Sequence, residues 1–368
     1  MKQKLTDRIK NKKLGSIADK VLNNIPTDEK DALYMLTTTD ILELGLIAHS
    51  LRTKLHGDKT YYGVNINLNY TNICELRCPL CAFSRSENDK DAYTLTFEEI
   101  ETRVKDAILS GADEVHIVGG LNPKLTIDYF EEMLRRIKAI RSDIFIVAFT
   151  AVEYDYFARI NNLSIENVFI RMKNAGLGAL PGGGAEIFDP AVRQRIAPRK
   201  ISGKRWLEVM KIAHGLGIKT NATMLYNHIE TPEDIVNHLS ELRALQNETG
   251  GFKTFVPLCY HNSRLGIDSK RPQATGFDEI RLFATSRIFL YNIPHLKALW
   301  MYLGDKMAQT LLHFGVDDLG GTSSYERVIH AAGASTPDMG YENHMRRLIE
   351  SSGFKPLRSA ANYSTRQI

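Results

Sequence analysis

Two periods of apolar residues alternate along this chain. Over residues 62–68, Val64, Ile66 and Leu68 fall on every second position, the spacing of a strand with one face turned inward. Thr96-Phe97-Glu98-Glu99 is then a capping box, and the helix it opens carries Ile100, Val104 and Ile108 and stops before Gly111. This strand-then-helix unit recurs. A strand at 114–118 leads through Gly119-Gly120 to a helix with Tyr129, Met133 and Ile137. A strand at 144–150 precedes a helix at 164–174, and a strand at 177–180 runs into Pro181-Gly182-Gly183-Gly184 and a helix at 206–214. After a strand at 218–225, Thr231 caps a helix with Pro232 in its favoured first position and Ile235, Leu239 and Leu242 on one face. Strands at 252–258, 295–301 and 316–319 follow, separated by helices at 278–290 and 306–313.

Eight strands alternating with helices imply parallel pairing through crossovers of one hand. The economical solution is an α/β fold, a (β/α)8 TIM-type barrel; a doubly wound open sheet is the alternative. Residues 30–56 read as helical, and the last 45 or so as helix and then tail. The expected organisation is an N-terminal helical extension at 1–56, a barrel at 57–322, and a C-terminal helix and tail at 323–368 packing on it.

Composition narrows the setting. The 368 residues are 43% hydrophobic and 24% charged, ordinary for a globular protein with a sizeable core. A net charge of +4 is too mild to argue for nucleic acid. No apolar run approaches the roughly 18 residues of a membrane span, and no secretory leader is visible, so a cytoplasmic location is expected. The lysine-rich first 20 residues read as a solvated, partly mobile end.

Only four cysteines occur, and three form Cys74-x3-Cys78-x2-Cys81 just after the first strand. Clustered thiols in a reducing compartment point to metal or catalysis, not disulfides. Structural zinc prefers a second Cys-x2-Cys pair, and none exists; Cys259 alone reads as a small buried hydrophobe. Three thiolates wrapped around an iron–sulfur cube leave one iron open, the mark of a metal that binds substrate.

Barrel enzymes place their sites at the C-terminal ends of the strands, which ranks the loops. Gly119-Gly120 and the Pro181–Glu186 run admit close backbone contact with a ligand, with Gly183 and Glu186 as named candidates. Glu153, just past the third strand, is either a ligand contact or a helix-start charge. Tyr226, His228 and Glu230 after the fifth strand are candidates to orient an acidic substrate or shuttle a proton, as are Tyr260 and His261 after the sixth. Asp317-Asp318 is a further candidate, and Arg193 and Arg287 have the fork geometry to clamp carboxylates.

The cysteine spacing after the first strand of a βα barrel resembles the radical S-adenosylmethionine (SAM) superfamily. The resemblance implies a [4Fe–4S] cluster on Cys74, Cys78 and Cys81 whose open iron chelates SAM. It also implies backbone contacts to SAM from Gly119 and Gly120, and an adenine contact just before the third cysteine. That family position is usually aromatic; here it is Leu80, with Phe83 as the nearby aromatic able to replace it. Within the superfamily, Phe149-Thr150-Ala151-Val152-Glu153, Pro181-Gly182-Gly183-Gly184-Ala185-Glu186, Glu248-Thr249-Gly250-Gly251-Phe252 and Ile293-Pro294-His295-Leu296-Lys297 resemble the aminofutalosine synthases of menaquinone biosynthesis. Some blocks are shared with the dehypoxanthine futalosine cyclases. The resemblance implies that SAM is consumed. Its 5′-deoxyadenosyl group would add to 3-[(1-carboxyvinyl)oxy]benzoate, with rearrangement and loss of bicarbonate, giving 6-amino-6-deoxyfutalosine. A reductant such as flavodoxin or ferredoxin would supply the electron. A cyclase, or an iron–sulfur redox sensor without SAM chemistry, is the alternative.

Overall fold

Seven parallel strands pair in chain order in the computed structural model, which describes residues 5–261, 272–334, 336–337 and 340–364. They are β2 (Asn65–Leu68), β3 (Glu114–Ile117), β4 (Phe145–Ala148), β5 (Ala179–Leu180), β6 (Lys219–Tyr226), β7 (Phe252–Cys259) and β8 (His295–Leu296). A second parallel sheet has the order β10 (Lys355–Arg358), β1 (Lys59–Gly63), β9 (Asp318–Gly321). Single bridges join the two: Lys297 with Asp318 beyond β8, and Ile66 with Ser324 beyond β9. The strand after Asp317 therefore lies between β8 and β1, at the seam where the seven-stranded sheet comes round on itself. Helices cover the outside, as crossovers of one hand require.

The expected first strand is split at Val64: its start pairs with β9 and β10, its end with β3. The expected 295–301 strand stops at Leu296, and Trp300–Leu303 is a short helix. An apolar run of that length suits either form. The buried Trp300 indole decides it by donating to the Gly321 carbonyl at 2.9 Å. The tail holds a strand that alternation did not reveal: β10 is short and only half-buried, and runs beside β1 from Lys59↔Lys355 to Tyr62↔Arg358.

The basic N-terminal segment is not a free end among the described residues. Asn11 caps helix Lys12–Leu22, which buries Leu14, Ile17 and Ala18. Lys13 and Lys20 converge on the fully buried carboxylate of Asp31, at 2.6 and 2.5 Å. Opposite charge supplied from the next helix turns an apparently solvated run into a docked one. The helix Ile41–His56 packs on Gly276–Phe289, so the N-terminal helices lie against the outer layer.

Three histidines sit in this scaffold. His214 lies between the Thr220 and Thr249 hydroxyls, His238 stacks on Phe188 with Nε2 against the Thr223 carbonyl, and His56 sits beside Asp317. Burial pushes His56 and His214 down to about 4 and His238 to about 3. A histidine depressed on folding stabilises the fold above the unfolded value near 6.5, and that stability is lost as pH falls toward the folded value. The melting temperature should therefore drop between pH 7 and pH 5, each histidine contributing up to about 1.4 kcal/mol per pH unit. His238→Phe and His214→Gln should flatten a calorimetric Tm–pH profile.

Candidate active site

The cysteines sit on a loop that folds back on itself as it leaves β2. Asn72 is its clamp. Its side chain donates to the Asp91 carbonyl at 2.8 Å and accepts from the Tyr93 amide at 2.8 Å, and its carbonyl accepts from the Arg85 amide at 2.7 Å. The Cys74 amide donates to the Arg85 carbonyl at 3.0 Å and the Cys81 amide to the Cys78 carbonyl at 2.9 Å. The result is a tight coil with Cys74, Cys78 and Cys81 on one wall of a cavity of about 300 Å³, none of them in a disulfide.

Every residue expected at the cofactor lines that same cavity: Leu80 and Phe83 beside the cysteines, Gly119 and Gly120 after β3, Glu153 after β4, and Gly183 and Glu186 after β5. Tyr260, His261 and Cys259, after or at the end of β7, also line it. Tyr226, His228 and Glu230 do not. Glu230 accepts from the Asn227 and His228 amides at 2.7 and 2.8 Å, and His228 Nε2 meets the Leu225 carbonyl at 3.0 Å. These two groups brace the loop behind Leu225, which itself faces the cavity. The Tyr226 hydroxyl lies 3.4 Å from Glu279. The three were expected to act on substrate; as placed, they hold the wall and do not touch the space. Asp317 lies away from the cavity, held by Arg287, His295 and the Leu296 amide. Arg193 braces the glycine loop through the Ala185 and Ile187 carbonyls. Neither arginine is free to clamp a substrate carboxylate.

Glu153 takes the helix-start role foreseen for it and adds a bracing one on the cavity wall. It closes a capping box with Thr150, its Oε2 accepting the Thr150 amide at 2.7 Å. Its Oε1 accepts the Gly119 amide at 3.1 Å and the Tyr70 hydroxyl at 2.8 Å, so it also fixes the Gly119-Gly120 turn. Burial pushes this carboxyl up to about 7 despite those donors. Glu153→Gln leaves an amide N–H facing donors and should weaken SAM binding about tenfold. A SAM titration followed by EPR of the reduced cluster checks this, with Tyr70→Phe giving a smaller loss.

Lys200 is the residue sequence reasoning missed. It is a half-buried cation at this cavity, 2.5 Å from Glu186 and close enough to Cys78 and Cys81 to interact with their charge. Burial works against its charge, but Glu186 and the thiols outweigh that and raise its pKa. Reciprocally, burial pushes Cys78 up to about 11 while Lys200 opposes the shift. Only its position after the glycine loop marked it, and lysines are common. Cys259 is buried, its thiol pushed up to about 12 by burial and then by Glu279.

Residues 68–242 match the radical SAM superfamily, and residues 249–368 the CofH/MqnC C-terminal region. The chain belongs to the radical SAM superfamily, enzymes that use a [4Fe–4S] cluster and SAM. Its donors fit that group: three thiols outside any disulfide on one wall, and a buried Tyr260 hydroxyl on the cavity with no partner among the described residues. Among curated relatives it is similar to the aminodeoxyfutalosine synthase of Thermus thermophilus, 38% identical over 96% of each chain. The Streptomyces coelicolor enzyme of that name is 36% identical over 94% of this chain and 92% of its own. It is also similar to the 5-amino-6-(D-ribitylamino)uracil–L-tyrosine 4-hydroxyphenyl transferase of Methanopyrus kandleri, 39% identical over 86% of this chain and 87% of that one. Among solved structures, the [FeFe]-hydrogenase maturase HydG superposes with a TM-score of 0.76 at 18% identity, covering 98% of this chain and 79% of its own. Methylornithine synthase PylB gives 0.73 at 15%, covering 93% and 97%. These two show the same fold. No helix among the described residues is long and apolar enough to cross a membrane.

Proposed function

We propose that this enzyme is an aminofutalosine synthase, joining the 5′-deoxyadenosyl group of SAM to 3-[(1-carboxyvinyl)oxy]benzoate to give 6-amino-6-deoxyfutalosine, with one water consumed and methionine, bicarbonate and a proton leaving. The observation that carries this reading is the match to the Thermus synthase along 96% of both chains. The Phe149–Glu153 and Ile293–Lys297 blocks support it.

When bound, the cluster supplies the electron that splits SAM. The chain's own residues do the rest. Cys74, Cys78 and Cys81 would hold the cluster, and Gly119 and Gly120, on the same cavity wall, would offer backbone to bound SAM. Lys200 and Glu186 set the charge beside the thiolates, and the apolar Leu80, Phe83, Leu225 and Leu258 walls keep water from the adenosyl carbon. With four cysteines in the whole sequence there is no second thiolate set, so the electron comes from an external donor such as flavodoxin or ferredoxin.

The Methanopyrus relative supports a second reading, in which a ribitylaminouracil and tyrosine are the substrates. Anaerobic incubations of reconstituted enzyme and SAM with each substrate set decide between them. Turnover with the enol ether, and none with the uracil and tyrosine, is expected; the reverse overturns the assignment.

A further inference from the structure

Below the cysteine cavity the barrel is hollow and polar where such barrels are ordinarily filled by branched apolar side chains. A second cavity of about 210 Å³ shares Val118, Gly183, Leu258 and Tyr302 with the first, and its wall carries Lys297, His116 and Asn221. Residues Ala360, Ala361 and Tyr363 of the tail close its floor. Lys297, from just past β8, lines this lumen, and the ammonium of Lys253, from β7, lies against its wall at Asn221; each is 5.9 Å from the Tyr363 ring.

The acids there are already engaged. Asp318 accepts the Gly320 amide at 2.7 Å on one oxygen, and the Tyr363 hydroxyl at 2.7 Å and Lys297 at 3.2 Å on the other. Glu114 accepts the Ala361 amide and His116 Nε2. Glu326 accepts the Val328 and Ile329 amides and the Asn67 side chain. Lys253, 8% exposed, has one hydrogen-bond partner among the described residues, the neutral Asn221 side-chain oxygen. A buried ammonium with only an amide oxygen is costly unless something anionic joins it. Burial first and then Lys297 push it down to about 7, against the pull of Glu114 and Asp318, which act on it without a hydrogen bond.

Depth fits the same ligand. The Lys297 amide bonds the Phe255 carbonyl at 2.9 Å, three residues before Leu258 on β7. At about 3.3 Å per residue that level is roughly 10 Å below the floor of the cysteine cavity, about the length of a meta-substituted benzoate.

We propose that Lys253 and Lys297 form a carboxylate-binding pair in the barrel lumen that takes the ring carboxylate of the aromatic substrate. The enol-ether end is thereby aimed up at the cysteine loop. This rests on the synthase reading.

The test compares kcat/KM for the enol-ether substrate and for its ring-carboxyl methyl ester. Wild-type enzyme should prefer the free acid by about a hundredfold, the scale of a lost charge-assisted contact at a buried site. Lys297→Met should raise KM for the acid far more than it lowers kcat, and erase the preference; Lys297→Arg should retain most of it. The EPR response of the reduced cluster to SAM should be unchanged in both. Equal wild-type rates on acid and ester, or a full preference kept in Lys297→Met and Lys253→Met, would overturn the proposal while leaving the synthase assignment intact. No turnover of either compound by wild-type enzyme would instead overturn the assignment and the pair with it.

Discussion

Cys78→Ala will yield a protein that folds but holds no [4Fe–4S] cluster and shows no measurable turnover. Cys78 is the middle ligand of the coil and lies deepest in it, 6% exposed. Three thiolates are the minimum that grips a cube while leaving one iron for SAM, so two are not a weaker version of the site. Cys78 belongs to the large apolar core, but the substitution removes a single sulfur from it, so melting temperature should change little from that of apo wild-type protein. Iron content, the visible absorbance of the cluster and product formation check this together. Cys259→Ala, by contrast, should keep all three, because Cys259 stands at the end of β7 and outside the Cys74–Cys81 coil.

Gly120→Ala should cost about a hundredfold in kcat/KM, the scale of a small misplacement of a positioned reactant. A Cβ at Gly120 would stand 2.2 Å from the Ile73 carbonyl oxygen and 3.1 Å from the Cys74 Cβ. The obstacle is backbone, which cannot swing away like the end of a side chain, so either the Gly119-Gly120 turn or the first cysteine must move. The Gly120 amide also donates to the Thr71 carbonyl at 2.9 Å, which ties the turn to the start of the cysteine loop. The effect should appear as a raised SAM requirement in EPR titrations with normal iron content. Gly215→Ala, where a Cβ meets nothing within 4 Å, is the matched control and should leave activity intact.

The site's ligands were legible in the sequence because their meaning is local. Cys74, Cys78 and Cys81 are close enough in sequence that spacing alone states one loop and one cluster, and the glycine pairs fall directly after strands whose alternation is plain. Tyr226, His228 and Glu230 misled for the opposite reason. Position at a strand's C-terminal end places the backbone at the rim, but which way each side chain turns depends on bonds to Leu225, Asn227 and Glu279 that no spacing reveals. Lys200, Lys253 and Lys297 did not stand out because a lysine is exceptional only when drawn away from solvent, and that is set by elements far apart in the chain. The N-terminal helix shows the same limit: its lysines read as solvated until Asp31 is brought beneath them. Strand β10 escaped because a short, half-buried outer strand carries no apolar alternation.

The fate of the adenosyl group tests the whole account most directly. Wild-type enzyme with a reconstituted cluster, a one-electron reductant, SAM labelled with 13C throughout its ribose and the enol-ether benzoate should convert the label into a single adduct of the mass of 6-amino-6-deoxyfutalosine, one per methionine released. Label recovered as free 5′-deoxyadenosine in step with methionine, with no adduct, would contradict it.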